Sequence, residues 1–185
     1  MRVIAGEWRG RKIAAPKGDL TRPTADRTRE TLFNMLTSRL GSFDDLRVAD
    51  LFAGSGALGL EALSRGAAHC MFVEQDADAL KSIRTNVAAL LPREDARSRV
   101  DIRAGSVLSL PAANTPLDLI LLDPPYDTGA GAVALDRMLR LGWIGSATWM
   151  ALETRSDEAV AISGLTIDAD RKVGKAKLTL FRLAR

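Results

Sequence analysis

Cysteine, histidine and tyrosine each occur once in these 185 residues. A single cysteine excludes an internal disulfide and a cysteine-based zinc site, and a single histidine excludes a multi-histidine metal centre. No apolar run reaches the roughly 18 residues that a membrane-spanning helix needs. The first seven residues, MRVIAGE, lack the continuous apolar segment of a signal peptide. Aromatics make up only 5% of the chain, and no repeat, low-complexity tract or Pro/Gly/Ser linker divides it. The expectation is a soluble, cytoplasmic protein without metal or membrane partner.

The composition that remains is that of a globular domain, 46% hydrophobic and 26% charged, long enough for one domain with a proper core. The net charge of +3 conceals an uneven distribution. Residues 1–40 carry nine basic and four acidic side chains, residues 41–170 eleven and nineteen, and residues 171–185 six and none. An acidic centre between two basic ends brings nucleic acid in as a partner, through phosphate neutralisation, against the plainer reading of solvated faces.

Segments 2–5 and 11–15 flank Gly6-Glu7-Trp8-Arg9-Gly10 and predict a small hairpin with a basic turn. Leu32, Phe33, Leu36 and Leu40 recur at helical spacing within a predicted helix over 24–40. From there strands alternate with helices. Strands are predicted at 46–52, 69–73, 100–103, 117–122, 148–153, 159–167 and 178–183, and helices at 57–65, 76–91 and 131–141. Near-continuous apolar strands separated by helices mean an α/β fold, its parallel sheet covered on both faces. Ligands of such sheets bind beyond the strand carboxyl ends, at the switch in strand order.

The first strand runs into Asp50-Leu51-Phe52-Ala53-Gly54-Ser55-Gly56-Ala57-Leu58-Gly59, which has GxGxxG spacing between a strand and a helix. Glycines there allow a sharp turn, close approach to a ligand and tight helix packing. Glu74 lies 20 positions after Gly54, where a carboxylate can bond ribose hydroxyls. Any ribose-containing cofactor fits, NAD included. Asp50 shifts the balance, because a carboxylate repels a pyrophosphate and attracts the ammonium of an amino-acid moiety. Phe52 reads equally as a core residue.

Directly after the apolar strand 117–122 come Asp123, Pro124, Pro125 and Tyr126. Proline cannot continue a sheet ladder, so the strand stops and exposes its end. A carboxylate, a free carbonyl and an aromatic face suit an exocyclic amine on a planar base. Asp123 and the Pro124 carbonyl can accept the amine hydrogens, and Tyr126 can stack on an unstacked base.

At these residues the sequence resembles class I S-adenosylmethionine methyltransferases of the N/DPPY amino-group type. More closely it resembles the RsmD family of bacterial 16S rRNA guanine-N2 methyltransferases. The resemblance rests on GEWRGRK at 6–12, RPTADRTRETLFN at 22–34, DLFAGSGALGLEALSR at 50–65, Asp123–Tyr126 and Glu153. It implies a Rossmann-like fold with a mostly parallel seven-stranded sheet, residues 41–185 forming the catalytic core and 1–40 a basic RNA-docking extension of one domain. S-adenosylmethionine would be held by Asp50, Phe52, Ala53, Gly54, Ser55, Gly56 and Gly59, with Glu74 at the ribose, Gln75 beside it, and Asp123 facing both cofactor and target amine. The substrate implied is a guanine in 16S rRNA, within a partly assembled small ribosomal subunit, met by a monomer. One position departs from the family, and one stretch is less typical. Ser106 stands where an Asp or Asn usually bonds the adenine amine, and the stretch is 172–177.

Trp8, Arg9, Arg11, Lys12, Arg22 and Arg27 are the candidate RNA contacts, with Trp8 alternatively covering the sheet. Arg29 and Glu30 read as ion-pair members or as neighbours of the cofactor loop. Asp76 reads as a helix cap or an adenine contact, Cys70 as a small apolar residue, His69 as a surface residue, and Trp143 and Trp149 as core or strand-flanking aromatics. The other readings left open are a DNA adenine or cytosine amino-methyltransferase and a non-catalytic RNA-binding assembly factor.

Overall fold

The computed structural model describes residues 1–17 and 23–185. Among them the chain runs α1 (Pro23–Leu40), β1 (Arg47–Leu51), α2 (Ala57–Ser64), β2 (His69–Glu74), α3 (Ala77–Leu90), α4 (Arg93–Arg99), β3 (Val100–Ala104), β4 (Leu119–Leu122), α5 (Ala130–Arg140), β5 (Trp149–Arg155), β6 (Leu165–Val173) and β7 (Ala176–Leu183). The strands form one sheet in the order β3-β2-β1-β4-β5-β7-β6. The first five are parallel, and β7 inserts antiparallel between β5 and β6. Strand order reverses between β1 and β4, so the switch point lies where the two sequence motifs end.

The central strands are apolar because both their faces are covered. All four residues of β4 are buried, and in β1 Val48 packs on one side while Ala49 and Leu51 pack on the other. One half-core holds Leu32, Phe33 and Leu36 of α1 with Leu60, Leu63 and Ile83. The other holds Leu135 and Met138 of α5 with Trp143. Cys70 is fully buried in the first, and burial raises its thiol pKa well above the ordinary value.

The amino-terminal hairpin is shorter than its sequence predicts. One bridge, Arg2 to Lys12, forms, with Val3 N–H donating to Arg11 O (2.9 Å) and Gly10 N–H to Val3 O (2.8 Å). The buried Glu61 carboxylate straps the hairpin to α2, accepting from Ile4 N (2.9 Å) and Ala5 N (3.0 Å). Its charge is balanced by Arg65 at 3.0 Å. Gly6, at φ 86, sits where a Cβ would lie 2.0 Å from the Ser64 carbonyl oxygen, so no other residue fits.

Two elements differ from the sequence prediction. Residues 159–164 are not a strand; Val160 and Ile162 anchor a connector in the second half-core, and the strand is β6. Edge strand β6 is mostly exposed and polar, so apolar alternation could not announce it. Helix α4 buries no residue. Glu94 and Asp95 in its first turn and Arg97 and Arg99 in its last complement the helix dipole instead.

Candidate active site

The cofactor loop is held in shape before any ligand arrives. Phe52 (φ 60), Gly54 (φ 59) and Gly56 (φ 81) all adopt left-handed backbone, which strains only the phenylalanine. Gly54 N–H donates to Glu74 Oε2 at 2.8 Å. The other oxygen, Oε1, accepts from Gln75 N (3.0 Å) and Asp76 N (2.9 Å). A carboxylate offers about four acceptor positions, so Glu74 organises the loop and has one acceptor position beyond these three bonds. Asp76 is a helix cap, accepting from Ala79 N at 2.8 Å.

Asp50 is 1% exposed. Its Oδ2 accepts from Gly59 N at 2.9 Å, while Oδ1 has no hydrogen-bond partner among the described residues. Burial, with smaller contributions from Asp123 and Glu74, raises its pKa well above the ordinary value, against the Gly59 bond. An orphaned buried oxygen among acids fits a cationic ligand, such as a sulfonium with its amino-acid ammonium. Gly59 lines neither of the two strand-end cavities. A Cβ there would lie 2.4 Å from the Phe72 ring and 2.6 Å from Cys70 Sγ, so this glycine lets α2 press against β2. Gly56 likewise faces Phe72, Ile83 and Leu60. Both glycines thus have a packing role, which does not bar their backbone from facing a ligand.

Two cavities meet at the strand ends. One, of about 320 Å³, is lined by Val73, Glu74, Gln75, Ser106 and Pro125. The other, of about 280 Å³, is lined by Thr28, Arg29, Asp50, Gly54, Ser55 and Glu153. Phe52 and Asp123 border both. Ser106 reaches the first cavity with a hydroxyl already accepting from Leu108 N at 3.2 Å. Arg29 is 5% exposed and bonds Asp26 (3.3 Å), Met1 Sδ (3.3 Å) and the Arg2 carbonyl. That makes it both an ion-pair member and a cavity wall.

Asp123–Tyr126 leaves the end of β4 as the prolines require. Glu153, near the end of neighbouring β5, joins it. Tyr126 Oη donates to Glu153 Oε1 at 2.7 Å, and Glu153 also hydrogen-bonds Asp123. Burial raises the Glu153 carboxyl pKa, and its two hydrogen bonds pull the other way. The Tyr126 phenol is raised too, by burial and then by the Glu153 bond. Beyond Tyr126 a recess of about 120 Å³ is lined by Pro125, Gly131, Leu152, Glu153 and Ala159. Glu153 entered the sequence reading only through family resemblance. The signal that could have found it is an acid ending the strand after the motif strand.

The candidate RNA residues separate. Trp8 is 5% exposed, in the core beneath the Arg99 guanidinium, so its expected role as a stacking surface is corrected. Sequence cannot distinguish a turn tryptophan that stacks outward from one that plugs the sheet. Arg11 donates to Ala89 O at 2.6 Å, satisfying a carbonyl at the end of α3. Helices α2 and α3 run back from the motif end of the sheet, and the hairpin turn bonds Ser64 and Ala89. It thus lies at the opposite end from Asp123. Arg9, Lys12 and Arg27 are exposed. Arg22 lies outside the described residues.

The sheet order, the glycine loop and the motif at β4 define a Rossmann-like methyltransferase. The family model described as "Conserved hypothetical protein 95" matches residues 1–182. Ribosomal RNA small subunit methyltransferase D of Escherichia coli (strain K12) is 35% identical over 160 residues, spanning 86% of this chain and 77% of that one. Putative rRNA methyltransferase YlbH of Bacillus subtilis (strain 168) is 41% identical over 126 residues, 68% and 67% of the two chains. Among solved structures, putative methyltransferase yhhF from Escherichia coli superposes with TM-score 0.82 at 31% identity, covering 100% and 99%. The chain belongs to the RsmD family.

Proposed function

We propose that the protein transfers the methyl group of S-adenosylmethionine to the exocyclic N2 amine of one guanine in 16S rRNA. The observation that carries this reading is the meeting of Asp123 and Glu153 in the wall of the second cavity. Guanine presents donors at both N2 and the adjacent N1. Adenine and cytosine present an unprotonated ring nitrogen beside their amine, which a carboxylate repels. Two acceptors at adjacent strand ends therefore match guanine. The names of the similar proteins support ribosomal RNA as its carrier.

When bound, S-adenosylmethionine supplies an electrophilic methyl group on a good leaving group. The protein contributes position and charge. Glu74, Gln75 and Ser106 hold the adenosine side, with Asp50, Gly54 and Ser55 on the amino-acid side. Asp123 and the Pro124 carbonyl accept the N2 hydrogens and aim the nitrogen lone pair. Glu153 accepts N1–H, and the Asp123–Glu153 pair takes up the proton that N2 releases. Tyr126, tethered by its hydroxyl, offers a ring face to a base taken out of its stack. Exposed Arg27, on the helix whose Thr28 and Arg29 line the second cavity, meets phosphate. The substrate particle is a partly assembled small subunit, met by a monomer.

The test is transfer of labelled methyl from S-adenosylmethionine to small-subunit particles of a strain lacking this gene. Label in N2-methylguanosine is expected. Label in methylated adenosine or cytidine, or methylation of duplex DNA instead, overturns the reading.

A further inference from the structure

The basic carboxyl-terminal segment gains a place in the fold. Strands β6 and β7 form a hairpin closed by Gly174 and Lys175, with Val173 paired to Ala176 and Lys172 directly opposite Lys177. Because β7 runs antiparallel to β5, with Ala176 opposite Arg155, the hairpin tip stands at the carboxyl end of β5. This is the end of the sheet that carries Asp123 and Glu153. Ser156 N–H donates to Lys175 O at 2.8 Å, fixing the tip to the chain leaving β5.

A chain of charges connects tip to motif. Lys172 acts on Asp157 electrostatically. Asp157 is bound by Arg155 at 2.6 Å, and Arg155 also holds Asp127, the residue after Tyr126, at 2.8 Å. Asp127 and Asp157 share Arg155, while Arg171, Lys172 and Lys175 are exposed. Two lysines directly opposite each other on one face of a sheet are unfavourable without an anion. Lys177 relieves part of this by donating to the Glu158 carbonyl. Lys172 and Lys175 face solvent, and neither side chain donates a hydrogen bond among the described residues.

We infer that the tip of the β6–β7 hairpin, through Arg171, Lys172 and Lys175, binds the phosphate backbone of the substrate RNA beside the methylation site. This rests on the proposed RNA methylation and adds a partner surface to it. It places one of the two basic ends beside the reactive site. The amino-terminal turn lies at the far end of the sheet, while the basic carboxyl-terminal hairpin lies at the reactive one.

The test measures binding of the full chain to 16S rRNA transcript and to small-subunit particles across a salt series. A Lys172→Ala/Lys175→Ala variant is compared with wild type, with Lys172→Arg/Lys175→Arg, and with Arg140→Ala at the opposite end. Calorimetry with S-adenosylmethionine verifies the fold of each. Losing two phosphate contacts flattens the salt slope by roughly 1.5–2 units, so the affinity ratio between about 50 and 200 mM salt shrinks roughly tenfold. The arginine variant keeps the wild-type slope, as does Arg140→Ala. An alanine variant with wild-type slope and affinity overturns the hairpin inference and leaves the proposed methylation standing. A wild type that binds neither RNA overturns both.

Discussion

The hydroxyl of Tyr126 donates to Glu153 Oε1 at 2.7 Å, tying the motif that ends β4 to an acid on the neighbouring strand. The bond gives a 40% exposed tyrosine a fixed ring orientation. Tyr126→Phe retains the stacking face and loses the tether, about 1 kcal/mol, so kcat falls several-fold while RNA affinity changes little. Tyr126→Ala also loses stacking worth about 1–3 kcal/mol and raises KM for RNA. Steady-state kinetics on small-subunit particles separates the two.

Glu153 sets a pH dependence. The Asp123–Glu153 pair takes up the N2 proton only while it holds an ionised carboxylate, and burial displaces the ionisation of Glu153 to higher pH than an ordinary glutamate. The rate of methylation therefore rises with pH through this raised value. Glu153→Gln removes that limb and, by offering an N–H donor, lowers discrimination for guanine. A kcat/KM profile against pH for both proteins checks the first effect, and competition between RNAs with guanine or adenine at the target checks the second.

Asp50 trades stability for ligand charge. Its folded pKa is raised above the ordinary carboxyl value of about 3.9. Between the two values the folded chain holds a proton that the unfolded chain has released. Stability is thus full below the ordinary value and falls as pH rises through the folded one. Asp50→Asn keeps the Gly59 bond and removes the buried charge, stabilising the ligand-free protein at neutral pH by about 1–2 kcal/mol and flattening this slope. Its affinity for S-adenosylmethionine drops at the same time. Thermal unfolding at several pH values and titration calorimetry measure the two effects.

Gly59 acts through packing. Gly59→Ala drives a methyl group into Phe72 and Cys70, at a cost of about 1–3 kcal/mol. Urea unfolding shows the loss, and cofactor affinity follows only as far as α2 shifts the loop. A larger loss of affinity than of stability would show that Gly59 meets the ligand as well.

Much of this architecture is legible in the chain, for reasons that also explain the gaps. Strands β1 and β4 announce themselves because burial on both faces demands apolar runs, and their ends carry the glycines and prolines that stop a strand. Glu74 is legible by its spacing, but the three amides it accepts are not. Strand β6 hides because an edge strand is stabilised by backbone pairing with β7 rather than by an apolar face. Helix α4 hides because only Ala96 among its residues supplies an apolar contact to the core. Trp8 is not legible because a turn residue's direction is set by what packs against it, here the first half-core and Arg99, and the Glu153–Tyr126 contact is not because it follows from the pairing of β4 with β5.

The central claim is methylation of a guanine N2 in 16S rRNA, and mass-spectrometric mapping of that RNA from cells with and without the gene tests it most directly. The account predicts one guanine that carries an N2-methyl group only when the gene is present, restored by the wild-type protein and not by Asp123→Ala. An unchanged 16S rRNA, or a lost methyl group on an adenine or cytosine, would contradict it.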